Sequence, residues 1–207
     1  MKRKIKVVRY LLIILVLTAL TLASCEQIFT TSFLEWAQRD PANLSDAGKI
    51  SYAYAILGSS NATDADYKDA YNALKDVNDE EAQYLASQLA VSAAGLDDAV
   101  DYALNNEGAT EAEILGQMDG TWLNNAISSF DQAVAGGAEI PQEDYLTMAA
   151  AIIANEVIKG DFGDIEAAIT DIDGGTADPE LQTAESYIQA AGYSLTDMDE
   201  LMDLVQV

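Results

Sequence analysis

The stretch that decides the fold is Asn78-Asp79-Glu80-Glu81-Ala82-Gln83-Tyr84-Leu85-Ala86-Ser87-Gln88-Leu89-Ala90-Val91-Ser92-Ala93-Ala94-Gly95. It opens on capping residues and two acids, where the free N–H groups and positive end of a new helix want acceptors and negative charge. Ala82, Leu85, Ala86, Leu89 and Ala93 then recur at the helical period and form one apolar stripe. Gly95 stops it. Much of the stripe is alanine, a strong helix former that lets two backbones approach closely.

The same grammar runs in both directions from there. Upstream, Ser45 caps a helix with the stripe Ala47, Ile50, Tyr54 and Leu57, ending near Gly58. Thr63 to Asp66 caps the next, with Tyr67, Ala70, Tyr71, Leu74 and Val77. Downstream, a helix from about Asp97 carries Val100, Ala103 and Leu104 and ends by Gly108. Thr110-Glu111-Ala112-Glu113 has capping-box spacing before Ile114, Leu115 and Met118. Thr121 opens a helix with Leu123, Ala126, Ile127, Phe130 and Val134, closed by Gly136-Gly137. Pro141 suits a first turn before Tyr145, Met148, Ala149, Ile152 and Ile153. Asp161 is the expected cap for Ile165, Ala168, Ile169 and Ile172. Asp178-Pro179 leads into Leu181, Ala184, Ile188 and Ala191, with Gly192 as the stop. Thr196 to Asp199 opens a last helix with Met198, Leu201, Met202 and Val205. No run alternates apolar and polar residues as a strand would, so the expectation is an all-α chain of about ten short helices.

The first and last thirds resemble each other. Asp69–Val77 aligns with Asp164–Ile172; Asp79, Glu81 and Gln83 match Asp178, Glu180 and Gln182; Ala93-Ala94-Gly95 matches Ala190-Ala191-Gly192. A duplication predicts stacked helix pairs, each burying the face its neighbour leaves open. Lys159-Gly160-Asp161-Phe162, Ala167-Ala168 and Asp178-Pro179-Glu180 together resemble a tetratricopeptide repeat, echoed more distantly by Leu57-Gly58 and Ala70. The spacing after Gly160 and the extra Gly174-Gly175 depart from that pattern. The resemblance implies a TPR-like α-solenoid over residues 45–207, with halves 45–108 and 141–207 and a helical middle 109–140.

The amino terminus carries a different signal. Lys2, Arg3, Lys4, Lys6 and Arg9 precede an uncharged run from Leu11 to Ala23, which suits a secretory leader and is short for a spanning helix of ~20 apolar residues. The run ends in Leu22-Ala23-Ser24-Cys25, which resembles the lipobox of bacterial lipoproteins at all four positions. The resemblance implies that residues 1–24 are a signal peptide removed before Cys25. It further implies a diacylglycerol thioether on Cys25, the only cysteine, and an acylated new amine. An uncleaved helix with a buried cysteine and a cleaved leader without lipid are the alternatives. Glu26 stands where an Asp would signal inner-membrane retention in many such proteins, which favours the outer membrane or cell surface within the envelope. Residues 25–44 then form the tether. In it, Ser32-Phe33-Leu34-Glu35 has capping-box spacing, and Phe29, Phe33 and Trp36 share one face, packed on the domain or set at the bilayer interface.

The leader holds five of the ten Lys+Arg and none of the 35 Asp+Glu, so the remainder carries a charge of about −30 by side-chain count. That argues against nucleic acid and against an unaided anionic bilayer, which both select Lys and Arg. It permits a cationic partner, weak divalent binding, or simply a surface suited to saline surroundings. With no histidine, and with the one cysteine assigned to the anchor, neither a histidine base nor a thiolate metal site is available.

Any chemistry would rest on carboxylates. Asp64/Asp66/Asp69 and Asp161/Asp164/Glu166 sit at helix starts, where capping accounts for them. Asp171-Ile172-Asp173 resembles the opening of a calcium loop, but Gly175 takes a ligand position and Thr176 the place of the required glycine. Tyr52, Tyr54, Tyr67, Tyr71 and Tyr84 cluster in the first third, as core and groove-edge packing or as a surface for a peptide. The expectation is no catalytic residue, no metal site and no cofactor. The functional reading is an envelope lipoprotein, anchored through Cys25, that binds a protein or peptide on a helical-repeat surface. The alternative is a small-ligand or cation-binding accessory of a transport system.

Overall fold

The computed structural model describes residues 41–106, 108–175 and 178–193. Among them every regular element is helical. After a 3-10 turn Pro41–Asn43 come α1 Asp46–Leu57, α2 Asp64–Leu74, α3 Glu80–Ala93, α4 Leu96–Asn105, α5 Glu111–Leu115, α6 Gly120–Gly136, α7 Gln142–Lys159, α8 Ile165–Asp173 and α9 Pro179–Ala190. The helix expected from Thr196 and the tether aromatics Phe29, Phe33 and Trp36 lie outside the described residues. None of the described helices is long and apolar enough to cross a membrane.

The helices begin where short side chains can satisfy their first N–H groups. Asp79 Oδ1 accepts from Ala82 N at 3.0 Å. Thr63 and Asp66 form a reciprocal capping box, and Thr110 and Glu113 form a second. Asp178 Oδ1 accepts from both Glu180 N and Leu181 N at 3.0 Å, with Pro179 just inside the helix. Two starts differ from expectation. Asp164, not Asp161, caps α8 through Ala167 N at 2.9 Å, because residues 160–163 are spent on the turn. Pro141 holds the cap position of α7 and makes no side-chain bond there.

Most apolar stripes land as expected. Ala82, Leu85, Ala86, Leu89 and Ala93 of α3 are all buried, as are Ile165, Ala168, Ile169 and Ile172 of α8. Two do not. On α1 the buried residues are Ala53 and Ile56, while Ala47 and Tyr54 are exposed. The segment Ile50–Leu57 is apolar nearly all round, so periodicity alone cannot choose its inner face. On α4 the buried face is Leu96, Ala99 and Val100, and Leu104 is 53% exposed.

The described chain divides into two compact units whose segments interleave in sequence. One holds the residues up to Gly95 together with Thr121–Glu139. In it α2 and α3 are the most extensive pair, and α1 packs on both. Ala70 and Ala73 of α2 and Ala82, Ala86 and Ala90 of α3 are all buried, so small side chains carry much of this core. α6 adds Leu123, Ala126, Phe130 and Ala133 to the buried set. The end of α6 runs so close to the start of α3 that a Cβ on Gly136 would lie 2.9 Å from Glu80 Cβ, closer than side chains tolerate. The other unit holds Leu96–Gly120 and the residues from Ile140 onward. There α7 pairs chiefly with α9, α8 contacts both, and α4 packs on α5.

The internal correspondence falls on matching places. Asp79 and Asp178 are both helix caps, and Gly95 and Gly192 both take positive φ, 75° and 84°. The third, sixth and tenth residues after each cap are buried: Ala82, Leu85 and Leu89 in α3, Leu181, Ala184 and Ile188 in α9. The packing around them differs, since α3 pairs mainly with α2 but α9 pairs mainly with α7. Gln83 and Gln182, equivalent in sequence, are buried and exposed respectively.

One contact joins distant parts of the second unit. Glu111 Oε1, at the start of α5, accepts from Ile165 N at 2.7 Å across 54 residues. It serves the first turn of α8 alongside Asp164. Glu111→Ala should therefore cost about 0.5–2 kcal/mol, read as a lower midpoint in urea, even though its own short helix is five residues. An unchanged midpoint would show that Asp164 suffices.

Candidate functional site

The lipobox Leu22–Cys25 lies outside the described residues, so the site built here is the set of polar and aromatic groups that the helices position. The three acidic clusters resolve into helix ends. Asp66 answers Thr63 in the capping box, and the hydrogen bonds from Thr63 hold its carboxyl below the ordinary aspartate range. Asp64 and Asp69 are exposed on the same helix. Asp164 caps α8, with Asp161 and Glu166 exposed beside it. Asp178 caps α9, whereas Asp171 and Asp173 belong to the end of α8. Among the described residues, no group of three or more acidic side chains is arranged to hold a metal ion.

The five clustered tyrosines take different places. Tyr71 of α2 is buried, with its ring edge-on to Trp122 of α6 at 5.2 Å between centroids and 81° between planes. Lys68, one turn earlier on α2, sets its ammonium 5.5 Å from the Trp122 ring centre. This triad ties the start of α6 to α2 and places a cation on an indole. Tyr54 is 43% exposed and donates its hydroxyl to Glu81 Oε1 at 2.6 Å, linking α1 to α3. Partial burial and then that hydrogen bond push its pKa up to about 12. Tyr52 is half-buried, and burial followed by Asp66 and Asp69 raises its hydroxyl too. Tyr67 and Tyr84 are also half-buried, and Tyr84 Oη accepts from Gln88 at 2.8 Å. Of these five tyrosines, Tyr71 serves helix packing, Tyr54 is exposed, and Tyr52, Tyr67 and Tyr84 are half-buried.

Five buried polar residues among those described escaped the sequence reading: Gln83, Ser87, Ser129, Asn155 and Glu156. Gln83 is 6% exposed; its Nε2 donates to Lys75 O and Val77 O and so pins the connection between α2 and α3. Glu156 of α7 is 2% exposed and ion-paired to Lys159. A signal for Glu156 was present, since it continues the stripe of Met148, Ala149, Ile152 and Ile153 by three and four residues.

No protein-family model, curated protein or solved structure matches the chain.

Proposed function

We propose that this protein is a lipid-anchored module of the bacterial cell envelope that binds a protein or peptide on a helical-repeat surface. The observation that carries the reading is Leu22-Ala23-Ser24-Cys25 at the end of a basic-then-apolar leader. Two or three acyl chains hold a protein on a bilayer stably, at ~0.8 kcal/mol per buried CH₂. An anchor of this kind sets where the domain works, in the outer membrane or at the cell surface. The all-helical scaffold supports a binding role, because several of its carboxylates serve helix starts and Tyr54 stands exposed, with Tyr52, Tyr67 and Tyr84 half-buried. A TPR-like solenoid is part of the proposal. The matching caps Asp79 and Asp178 and matching stops Gly95 and Gly192 support it. No reaction is assigned to the chain.

The test is Cys25→Ser in cells fed a palmitate analogue. The wild type takes up the label and sediments with membranes; the variant loses both properties. Label retained by the variant would end the anchor reading. Cross-linking in intact cells then addresses binding: a defined partner should be recovered with the anchored protein and lost with Cys25→Ser.

A further inference from the structure

The stripe Ala47, Ile50, Tyr54 and Leu57 has the spacing of a helix face made to be covered, yet α1 does not bury it. Ala47 and Tyr54 are exposed and Ile50 and Leu57 half-buried, while the buried residues of α1, Ala53 and Ile56, lie to one side. Tyr54 donates its hydroxyl to Glu81 of α3 and still remains 43% exposed. α1 packs mainly on α2, on α3 and on the turn Pro41–Asn43.

The chain that leads into this turn carries a matching pattern. Counted back from Pro41, the aromatic residues Trp36, Phe33 and Phe29 follow at intervals of three and four. Counted forward into α1, Ala47, Ile50 and Tyr54 follow at the same intervals. Helices joined by a short connection run antiparallel, so intervals that agree when counted outward from the connection bring each ring to one position of the stripe. The reach is sufficient: five residues from Trp36 to Pro41 span up to about 18 Å, and the stripe from Ala47 to Leu57 is about 15 Å long. The turn Pro41–Asn43 packs on both α1 and α2, which starts the preceding chain beside α1.

We propose that residues 29–36 dock antiparallel on α1 and cover this stripe, with Trp36 toward Ala47, Phe33 toward Ile50 and Phe29 toward Tyr54. Each aromatic side chain buries up to about 150–250 Å² when packed, which suits a stripe of this length. The docking itself does not depend on lipid. One consequence rests on the reading of Cys25 as the anchor: four residues, at most about 14 Å, then separate the lipid from the docked segment. α1 is held beside the bilayer, and its stripe is not offered to a partner protein.

Disulfide trapping in the full chain tests this. Phe33→Cys is combined with Ile50→Cys, and in a control with Ser51→Cys. Ser51 is exposed and stands about 100° around the helix from Ile50. The first pair should join at least about tenfold faster than the second, because the bond needs Cα atoms within about 7 Å and side chains that face each other. Peptide mass mapping shows which cysteines are joined, so the result is read whether or not Cys25 carries lipid. In the unaltered protein in bicelles, ring protons of Trp36 and Phe33 should show nuclear Overhauser contacts to the Ile50 methyl groups, which decides the matter if either pair fails to fold. Equal rates in the two pairs, a bond formed only between two chains, or ring contacts to acyl chains in place of Ile50 overturns the docking. The first pair joining in a Cys25→Ser chain that has left the membrane supports it independently of the anchor.

Discussion

Replacing Phe130 by alanine is expected to cost about 3–5 kcal/mol, the largest loss of any single truncation among the described residues. Phe130 is 1% exposed and heads the fully buried side chains by volume. It sits on α6 in register with Leu123, Ala126 and Ala133, the buried face of that helix. Its neighbours on that face include two alanines, which cannot reach into the space a lost ring would leave. The cavity cost therefore adds to the lost transfer energy. At about 2–4 °C per kcal/mol for a chain of this size, the melting temperature should fall by about 6–20 °C. Leu104→Ala is the matched control, because that side chain is 53% exposed and its truncation should stay within about 0.5 kcal/mol. Near-equal losses in the two variants would mean that α6 does not face the core as described.

The second large effect runs in the opposite direction of size. Ala86→Leu adds three carbons at a site of zero exposure, on the face of α3 that also carries Ala82 and Ala90. In a loosely packed helical core, such a change would add buried apolar area and stabilise. Here α2 and α3 form the most extensive helix pair of their unit and both bury alanines, so little space is expected for a branched side chain. The expected cost is about 1–3 kcal/mol from forced rotamers and backbone displacement. Ala190→Leu, at an exposed position near the end of α9, should be close to neutral. Chemical denaturation of the pair checks this, and stabilisation by Ala86→Leu would refute close alanine packing as the basis of this core.

These two substitutions mark where reading the chain residue by residue succeeds and where it stops. Phe130 and Ala86 were both placed on inner faces by their spacing. Nothing in the spacing says that one position tolerates no loss and the other no gain. That depends on how close the opposing backbone comes, which is a property of the pair. Tyr54 shows the limit most plainly. It fitted a periodic stripe on α1, yet it is exposed, and its hydroxyl meets Glu81 instead of entering the core. Where every face of a helix is apolar, the neighbours choose the buried one.

Helix content, and most helix starts and stops, were determined by the sequence alone. The physics behind them is local: a Thr, Asp or Ser side chain answers an N–H two or three residues away, and an apolar stripe repeats within a single helix. Thr63–Asp66, Thr110–Glu113, Asp79 and Asp178 needed no partner elsewhere to do their work. Only the tertiary structure decided which helices pair. It set α3 against α2 and α9 against α7 despite their shared caps, brought Glu111 to Ile165 across 54 residues, and buried one carboxylate out of many beside Lys159. Those outcomes depend on the shapes of surfaces far apart in the chain, and a surface takes its shape only once both of its sides are folded.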